Sequence, residues 1–209
     1  MPDLNYGDRV VFRSRFNRGI AIVSWALSLA VVVSLVLSSD RELLALVALP
    51  VCASYLVWLA FWHPAVIISD DEVSLINATY TVRIPWAALI QVNTRYALSL
   101  RTPRRSYSAT AAPAPGSIGT YSANRDFRLE RNSSNRAAPD MRRPGDLPGT
   151  DSGAAAAMVL GRWNGLTDEG RVAIGEADTT IETVRIHVVQ LGIAAVLIAA
   201  AVWAISTLY

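Results

Sequence analysis

Three long uncharged apolar runs constrain the fold of this chain more than any other feature of its sequence. Residues 19–38, 43–62 and 187–208 contain no Asp, Glu, Lys or Arg. Each run supplies about the 20 residues that a helix rising ~1.5 Å per residue needs to cross a hydrocarbon core ~30 Å thick. A charge at the middle of such a helix costs roughly 2.5 to 3.5 kcal/mol on insertion scales. The runs therefore predict three transmembrane helices and a multi-pass membrane protein.

The placement of arginine around these runs predicts the topology. Residues 39–42 alone separate the first two runs, which indicates a tight helical hairpin. Pro50 lies within the second run, where its missing backbone N–H predicts a kink. Basic residues favour the cytoplasmic side of a span, so we expect a cell-membrane protein whose N-terminus and residues 63–186 are cytoplasmic. The arginines that precede the first run are Arg9, Arg13, Arg15 and Arg18, whereas Arg41 alone lies in the hairpin turn.

Length and composition leave room for one soluble domain beside the spans. Of 209 residues, 52% are hydrophobic, and the remainder after three spans fits a single domain of roughly a hundred residues. The predicted order is a basic cytoplasmic N-terminal segment (1–18), a transmembrane hairpin (19–62), a soluble domain (63–166), a linker (167–183) and a third transmembrane segment (184–209).

The soluble domain has the pattern of an antiparallel β structure closed by one helix. Short runs of alternating apolar and polar residues, separated by turn formers, predict strands at 65–69, 73–77, 79–86, 89–95, 96–102 and 107–112. Pro85 indicates a sheet edge or a strand end. Thr150 and Asp151 begin a predicted amphipathic helix over 151–166, and its Trp163 face is expected to close one end of the sheet.

Between the last strand and this helix, residues 113–150 are rich in Pro, Gly, Ser, Asn and Arg. Such a segment has little apolar surface to bury, which predicts a mobile insertion. A short strand or turn is expected within it, at 121–129.

The order of these elements resembles a known family. The residues that carry the resemblance are HP at 63–64, DDEV at 70–73, RIPW at 83–86, IQV at 90–92, YALSL at 96–100 and the helix at 151–166. On these residues the chain is similar to small actinobacterial membrane proteins with a bacterial pleckstrin-homology (PH) domain, the family of low molecular weight protein antigen 6. The resemblance implies an α+β membrane protein with a PH-like β-barrel and a C-terminal capping helix. It implies no catalytic residue, and the long insertion and the third span depart from the family pattern.

Catalytic motifs are missing from the sequence. It contains no G-x-S-x-G, no H-E-x-x-H and no phosphate-binding glycine loop. His63 and His187 both lie at span boundaries, where an interfacial role is expected. The carboxylates at 70–72 have the pattern of a solvated turn, since no second ligand cluster accompanies them. We therefore predict a protein that is not an enzyme, with no catalytic, cofactor-binding or metal-binding residues.

Arginines on the predicted strands are the candidate binding residues. Anionic lipids of the inner leaflet attract each nearby Arg by about 1 kcal/mol, and a guanidinium fork matches phosphate oxygens. The alternative is that these side chains only solvate exposed strands. The insertion is also basic, but interspersed acidic residues and the lack of an aromatic platform argue against nucleic acid. The lipid-binding candidates are Arg83, Arg95, Arg101, Arg104 and Arg105.

Two functions from different classes fit these observations. One is a non-enzymatic, membrane-anchored PH-like module at the cytoplasmic face that contacts anionic lipid headgroups. The other is an accessory or scaffolding subunit of a larger complex with other membrane protein subunits. Small residues on the third span permit close helix approach, either to a partner or to the hairpin of the same chain. They are Gly192, Ala194, Ala195, Ala199, Ala200 and Ala201.

Overall fold

A computed structural model describes residues 9–38, 41–114, 149–172, 175 and 177–206. It contains three helical segments that are long and apolar enough to cross a membrane. The first span is α1 (Arg15–Leu37), the second is Ala45–Trp62, and the third is a helix over Val188–Ser206. The prediction of three long apolar helices, an N-terminal pair and a C-terminal one, is confirmed. The N-terminal pair and the C-terminal helix enclose, in sequence, a soluble part built from antiparallel sheets.

The second span changes its helix type twice. A short helix α2 (Arg41–Leu44) precedes a 3₁₀ turn (Ala45–Val47), which leads into helix α3 (Ala48–Val57) and ends in a π-helical turn (Trp58–Trp62). Pro50 lies at the start of α3, where its missing N–H interrupts the hydrogen-bond ladder, and the tighter turn precedes it. The π-helical turn closes when the backbone N–H of His63 donates to the carbonyl of Trp58 at 2.9 Å.

The second span packs against both other spans. The Trp25 indole donates to the Ser54 carbonyl at 3.1 Å, and the Tyr55 hydroxyl donates to the Gln190 carbonyl at 3.0 Å. The outer face of α1 stays unpaired, with the Leu27 side chain 64% exposed. A continuous apolar surface of this kind suits contact with lipid chains rather than water.

Five strands form the first sheet, called sheet A. Every neighbouring pair in it is antiparallel, and the order is β1-β2-β3-β4-β8. The strands are β1 (Val10–Phe12), β2 (Ala65–Ile68), β3 (Glu72–Ile76), β4 (Tyr80–Pro85) and β8 (Thr183–Ile186).

Three further strands form sheet B, in the antiparallel order β5-β6-β7. They are β5 (Gln91–Asn93), β6 (Ala97–Arg101) and β7 (Ser106–Pro113), and a 3₁₀ turn (Trp86–Ala88) connects β4 to β5. Helix α4 (Asp151–Asp168) packs on β2, β5, β6 and β7. The remaining helix, α5 (Val188–Ser206), is the third span.

The hydrophobic core lies between the two sheets and α4. Along β7, Tyr107, Ala109 and Ala111 are buried and alternate with exposed residues, as expected of a strand with one face in the core. Helix α4 adds Val159 and Leu166, both fully buried, and its half-buried Trp163 packs against the same core. The predicted amphipathic helix is confirmed and ends two residues later than expected. Other fully buried core side chains are Val66, Val73, Leu75, Val82, Ile84, Leu98 and Leu100.

Two strands of sheet A lie where the sequence predicted none. β1 belongs to the predicted N-terminal segment, and β8 spans the predicted end of the linker and the start of the third transmembrane segment. The third helix consequently begins only at Val188. Both strands are very short, and pairing with β2 and β4 fixes them, so local sequence periodicity carries little signal for either. Pro85 ends β4, as expected. The expected strand or turn at 121–129 lies outside the described residues.

Candidate functional site

All three spans join sheet A at the same end of its strands through connections of one or two residues. Arg13 and Ser14 connect β1 to α1, residues 63–64 connect the second span to β2, and His187 connects β8 to α5. The register places Phe12 opposite Val66, at the end of each strand nearest its helix. We call this region the junction, and define it by Arg13, Arg18, Trp58, Trp62, His63, Thr81 and His187.

Two histidines form the centre of the junction. The ring centroids of His63 and His187 are 5.2 Å apart, in an edge-to-face arrangement. His187 Nε2 lies 2.8 Å from the Thr81 hydroxyl, and its Nδ1 lies 3.4 Å from the Ala78 carbonyl. Because a carbonyl only accepts, the His187 Nδ1 is the donor to Ala78 in this geometry.

His63 is less well satisfied than its neighbour. Its ring lies 5.0 Å from that of Trp58, and its Nε2 atom is buried with no hydrogen-bond partner among the described residues. Burial, then the charge of His187 and then that of Arg13, lower the pKa of His63 below its usual 6.5. His63 is therefore mostly neutral at pH 7 in the ligand-free protein.

Two arginines complete the junction. The guanidinium carbon of Arg18 lies 5.1 Å from the ring centre of Trp62, a cation–π geometry, while its Nε is buried without a hydrogen-bond partner in the described part of the chain. Partial burial, followed by the charge of Arg18, lowers the pKa of Arg13. Within the described ranges, no carboxylate reaches ion-pair distance of either guanidinium. The neighbouring acidic residue Asp151 instead accepts a hydrogen bond from Ser14.

Three of the predicted lipid-binding arginines lie far from the junction. Arg101, Arg104 and Arg105 are exposed at the β6–β7 hairpin. Tyr107, beside this hairpin, donates through its hydroxyl to Glu182 at 3.1 Å, and Glu182 directly precedes β8. The chain from residue 182 to residue 187 is nearly extended, at about 3.3 Å per residue, so the hairpin base lies roughly 16 Å along the strand from the junction.

The other two candidates lie elsewhere. Arg95 is in the β5–β6 turn, at the opposite end of sheet B from the hairpin, and its guanidinium carbon lies 5.0 Å from the ring centre of Tyr96. The Tyr96 side chain is 77% exposed. Arg83 projects from β4 away from the core and lies 3.7 Å from the Glu72 carboxylate. The five predicted arginines thus occupy three separate places rather than one site.

The predicted solvated turn at 70–72 has a structural partner. Asp70 accepts hydrogen bonds from Arg162 on α4 and from Arg171, the latter at 3.4 Å. The hydrogen bond from Arg162 is the main cause that lowers the pKa of Asp70. This carboxylate therefore fastens the C-terminal end of α4 to the β2–β3 turn.

The chain matches no protein-family model, and it shows no similarity to a curated protein or to a solved structure. The geometry of the chain itself is therefore the basis for a functional assignment.

Sequence reasoning missed the junction as a site. It assigned His63 and His187 to separate span boundaries and treated Arg13 and Arg18 only as topology signals. One available signal was that, in a three-span chain, the start of the first span, the end of the second and the start of the third all reach the same membrane face. Four cationic or titratable residues at those three ends predict a shared cluster once the spans pack together.

Proposed function

We propose that this chain is a non-catalytic, membrane-anchored binding module that contacts anionic lipid headgroups at the cytoplasmic face. The observation that carries the proposal is the attachment of sheet A to all three spans at one end of its strands, through connections of at most two residues. Such short connections hold this end of the sheet within a few ångströms of the headgroup layer. A ligand bound at this end would then be a component of the membrane surface.

The module is of the PH-like type in this proposal. Two antiparallel sheets that pack around a common core, with a helix after the last strand of sheet B, support a PH-like barrel with a capping helix. The strands β1 and β8 add to this plan by extending sheet A on both sides, toward the first and third spans. Membership of the bacterial PH-domain family belongs to the same proposal.

The charge distribution supports the cytoplasmic orientation. Arg13, Arg15 and Arg18 flank the first span on the side of the soluble domain. A cytoplasmic position for this side follows the positive-inside rule and brings the arginines to the anionic leaflet. At the end of sheet B opposite the β6–β7 hairpin, the Tyr96 side chain is exposed and lies under the Arg95 guanidinium. This ring has the amphipathic character typical of interfacial side chains.

An accessory or scaffolding role is the second candidate, and one observation favours it. On the third span, Ala194 and Ala201 are buried against the rest of the chain, whereas other small residues on the same helix face outward. Outward small residues leave room for close approach of a helix from another subunit. These exposed small residues are Gly192, Ala195, Ala199 and Ala200.

Purification of the full chain in mild detergent separates the two functions. A lipid-binding module is expected to retain phosphatidylglycerol in preference to phosphatidylcholine, as measured by mass spectrometry of the bound lipids. Discrete stoichiometric protein partners, without such a preference, would instead support the subunit. A chain that shows neither would contradict both candidates.

A further inference from the structure

We infer that the junction binds one phosphate group between Arg13, Arg18 and His63, and that in the membrane this phosphate is the headgroup of an anionic phospholipid. The inference rests on the proposed function, and it moves the contact from the predicted hairpin arginines to residues at the ends of the spans. The shared chemistry is that of a phosphate oxygen, whether it belongs to a lipid or to free inorganic phosphate.

Unsatisfied donors are the first reason. Arg18 Nε is buried and has no hydrogen-bond partner in the described structure. A guanidinium stays charged at any physiological pH, and a buried charged donor without an acceptor is costly. His63 Nε2, in the residue that follows the Trp58–Trp62 turn, is likewise buried without a hydrogen-bond partner among the described residues, and it becomes a donor when the imidazole is protonated there. A phosphate offers several oxygens at once and accepts from both groups.

The absence of a counter-ion is the second reason. Elsewhere in the described soluble part, Arg83, Arg162 and Arg171 each meet a carboxylate. Arg13 and Arg18, by contrast, are close enough for the charge of Arg18 to lower the pKa of Arg13, and no described acidic side chain pairs with either. Two neighbouring cations without a carboxylate partner among the described residues attract an anion more strongly than a single exposed arginine does.

The depth of the cluster is the third reason. Trp58 and Trp62 lie in the last turn of the second span, and the Trp62 ring also lies 5.1 Å from that of Trp25. Tryptophan rings at span ends concentrate at the headgroup level of a bilayer. Arg18, whose guanidinium contacts the Trp62 ring, therefore lies near the level of lipid phosphates.

The histidine pair gives the site a pH dependence. The charged and titratable groups that act on His63 are His187 and Arg13, while Arg18 lies over the ring of Trp62, the residue before His63, and Asp151 contacts Ser14 at the start of α1. Without a ligand, the cations oppose protonation of His63. A bound phosphate favours the imidazolium form of His63 and accepts a hydrogen bond from its Nε2–H group. Phosphate binding is therefore expected to tighten as the pH falls through the range in which His63 titrates.

The test uses the full chain, purified in detergent and offered equal amounts of phosphatidylglycerol and phosphatidylcholine. Native mass spectrometry measures which lipid the protein retains. We expect the double variant Arg13→Gln with Arg18→Gln, called the junction pair, to abolish the phosphatidylglycerol preference. The matched double variant Arg104→Gln with Arg105→Gln, called the hairpin pair, should keep it. Both pairs remove two charges, so a difference between them reports position rather than net charge. If the hairpin pair loses the preference and the junction pair keeps it, the inference is wrong.

Inorganic phosphate distinguishes the two sources of the ligand. In delipidated wild type, phosphate is expected to raise the thermal midpoint above that in chloride of equal ionic strength, and the junction pair should abolish this increase. If wild type shows no lipid preference but does bind phosphate at the junction, the proposed lipid function fails and the anion site stands. A lipid preference that the junction pair leaves intact would leave the proposed function standing and refute the site.

If Arg13→Gln with Arg18→Gln fails to fold, a single conservative substitution still tests the site. Arg18→Lys keeps the charge over Trp62 but lacks the guanidinium fork, and we expect it to fold and to retain lipid more weakly than wild type. The phosphate effect on wild type also needs no variant. A wild-type chain that is indifferent both to phosphate and to phosphatidylglycerol would overturn the inference.

Discussion

Replacement of Leu166 by alanine tests whether α4 holds the two sheets together. The Leu166 side chain is fully buried against the core, whereas Leu160, on the same helix, is 37% exposed. The substitution removes three carbon groups, each worth ~0.8 kcal/mol on burial, or about 2.4 kcal/mol in all. The cavity that remains adds to this loss, which gives about 3 to 4 kcal/mol for Leu166→Ala.

Leu160→Ala is the matched control. The chemical change is identical, and the small gain in helix propensity from Leu to Ala is the same at both sites, so it cancels. Because the Leu160 side chain is partly exposed and leaves no closed cavity, its loss is expected to cost at most about 1.5 kcal/mol. The two variants should therefore differ by about 2 kcal/mol.

Hydrogen exchange of the α4 backbone amides in the full chain measures this difference. Under conditions in which exchange reports equilibrium opening, about 2 kcal/mol corresponds to roughly thirtyfold faster exchange in Leu166→Ala than in Leu160→Ala. Amides of α1 serve as an internal reference, since the core cluster that contains Leu166 includes no described residue of the spans. Equal exchange in the two variants would refute the docking of α4, as would an unchanged rate in Leu166→Ala.

Three further predictions address the fastening of α4, the link between the sheets, and the topology. The hydrogen bond from Arg162 lowers the pKa of Asp70 below 3.8, so the ionised carboxylate contributes its full stability above that value and loses it as the pH falls through the lowered pKa. The midpoints of chemical denaturation of wild type and Asp70→Asn should therefore differ at neutral pH and converge in acid. Glu182→Ala removes the acceptor of the Tyr107 hydroxyl and should lower the free energy of unfolding, measured by chemical denaturation, by roughly 1 to 3 kcal/mol. Tyr107→Phe should then lower it less in the Glu182→Ala background than in wild type. Additive effects would contradict the contact. Reporter fusions at Arg41 should be active outside the cell and fusions at Gly119 inside it, and the opposite pattern would reverse the orientation and exclude contact with the inner leaflet.

Local sequence patterns were sufficient for much of the fold. The three spans follow from uncharged length alone, because no water-soluble helix tolerates so continuous an apolar surface. The strands that contain Leu75, Leu98 and Tyr107 follow from alternation, and α4 follows from a capping residue and helical spacing, with Thr150 accepting from Gly153 as expected. Each of these signals lies within the segment that it describes.

Only the tertiary structure decided where the segments meet. β1 and β8 exist because β2 and β4 offer them paired edges, and neither strand is long enough to show a pattern of its own. The junction has the same origin. The sequence places Arg13, Arg18, His63 and His187 at span ends, but their proximity depends on the packing of three helices and on the pairing of β1 with β2 and of β8 with β4. A pattern within a segment cannot report a contact between segments, and only the tertiary structure buries Arg18 Nε and His63 Nε2 without a hydrogen-bond partner among the described residues.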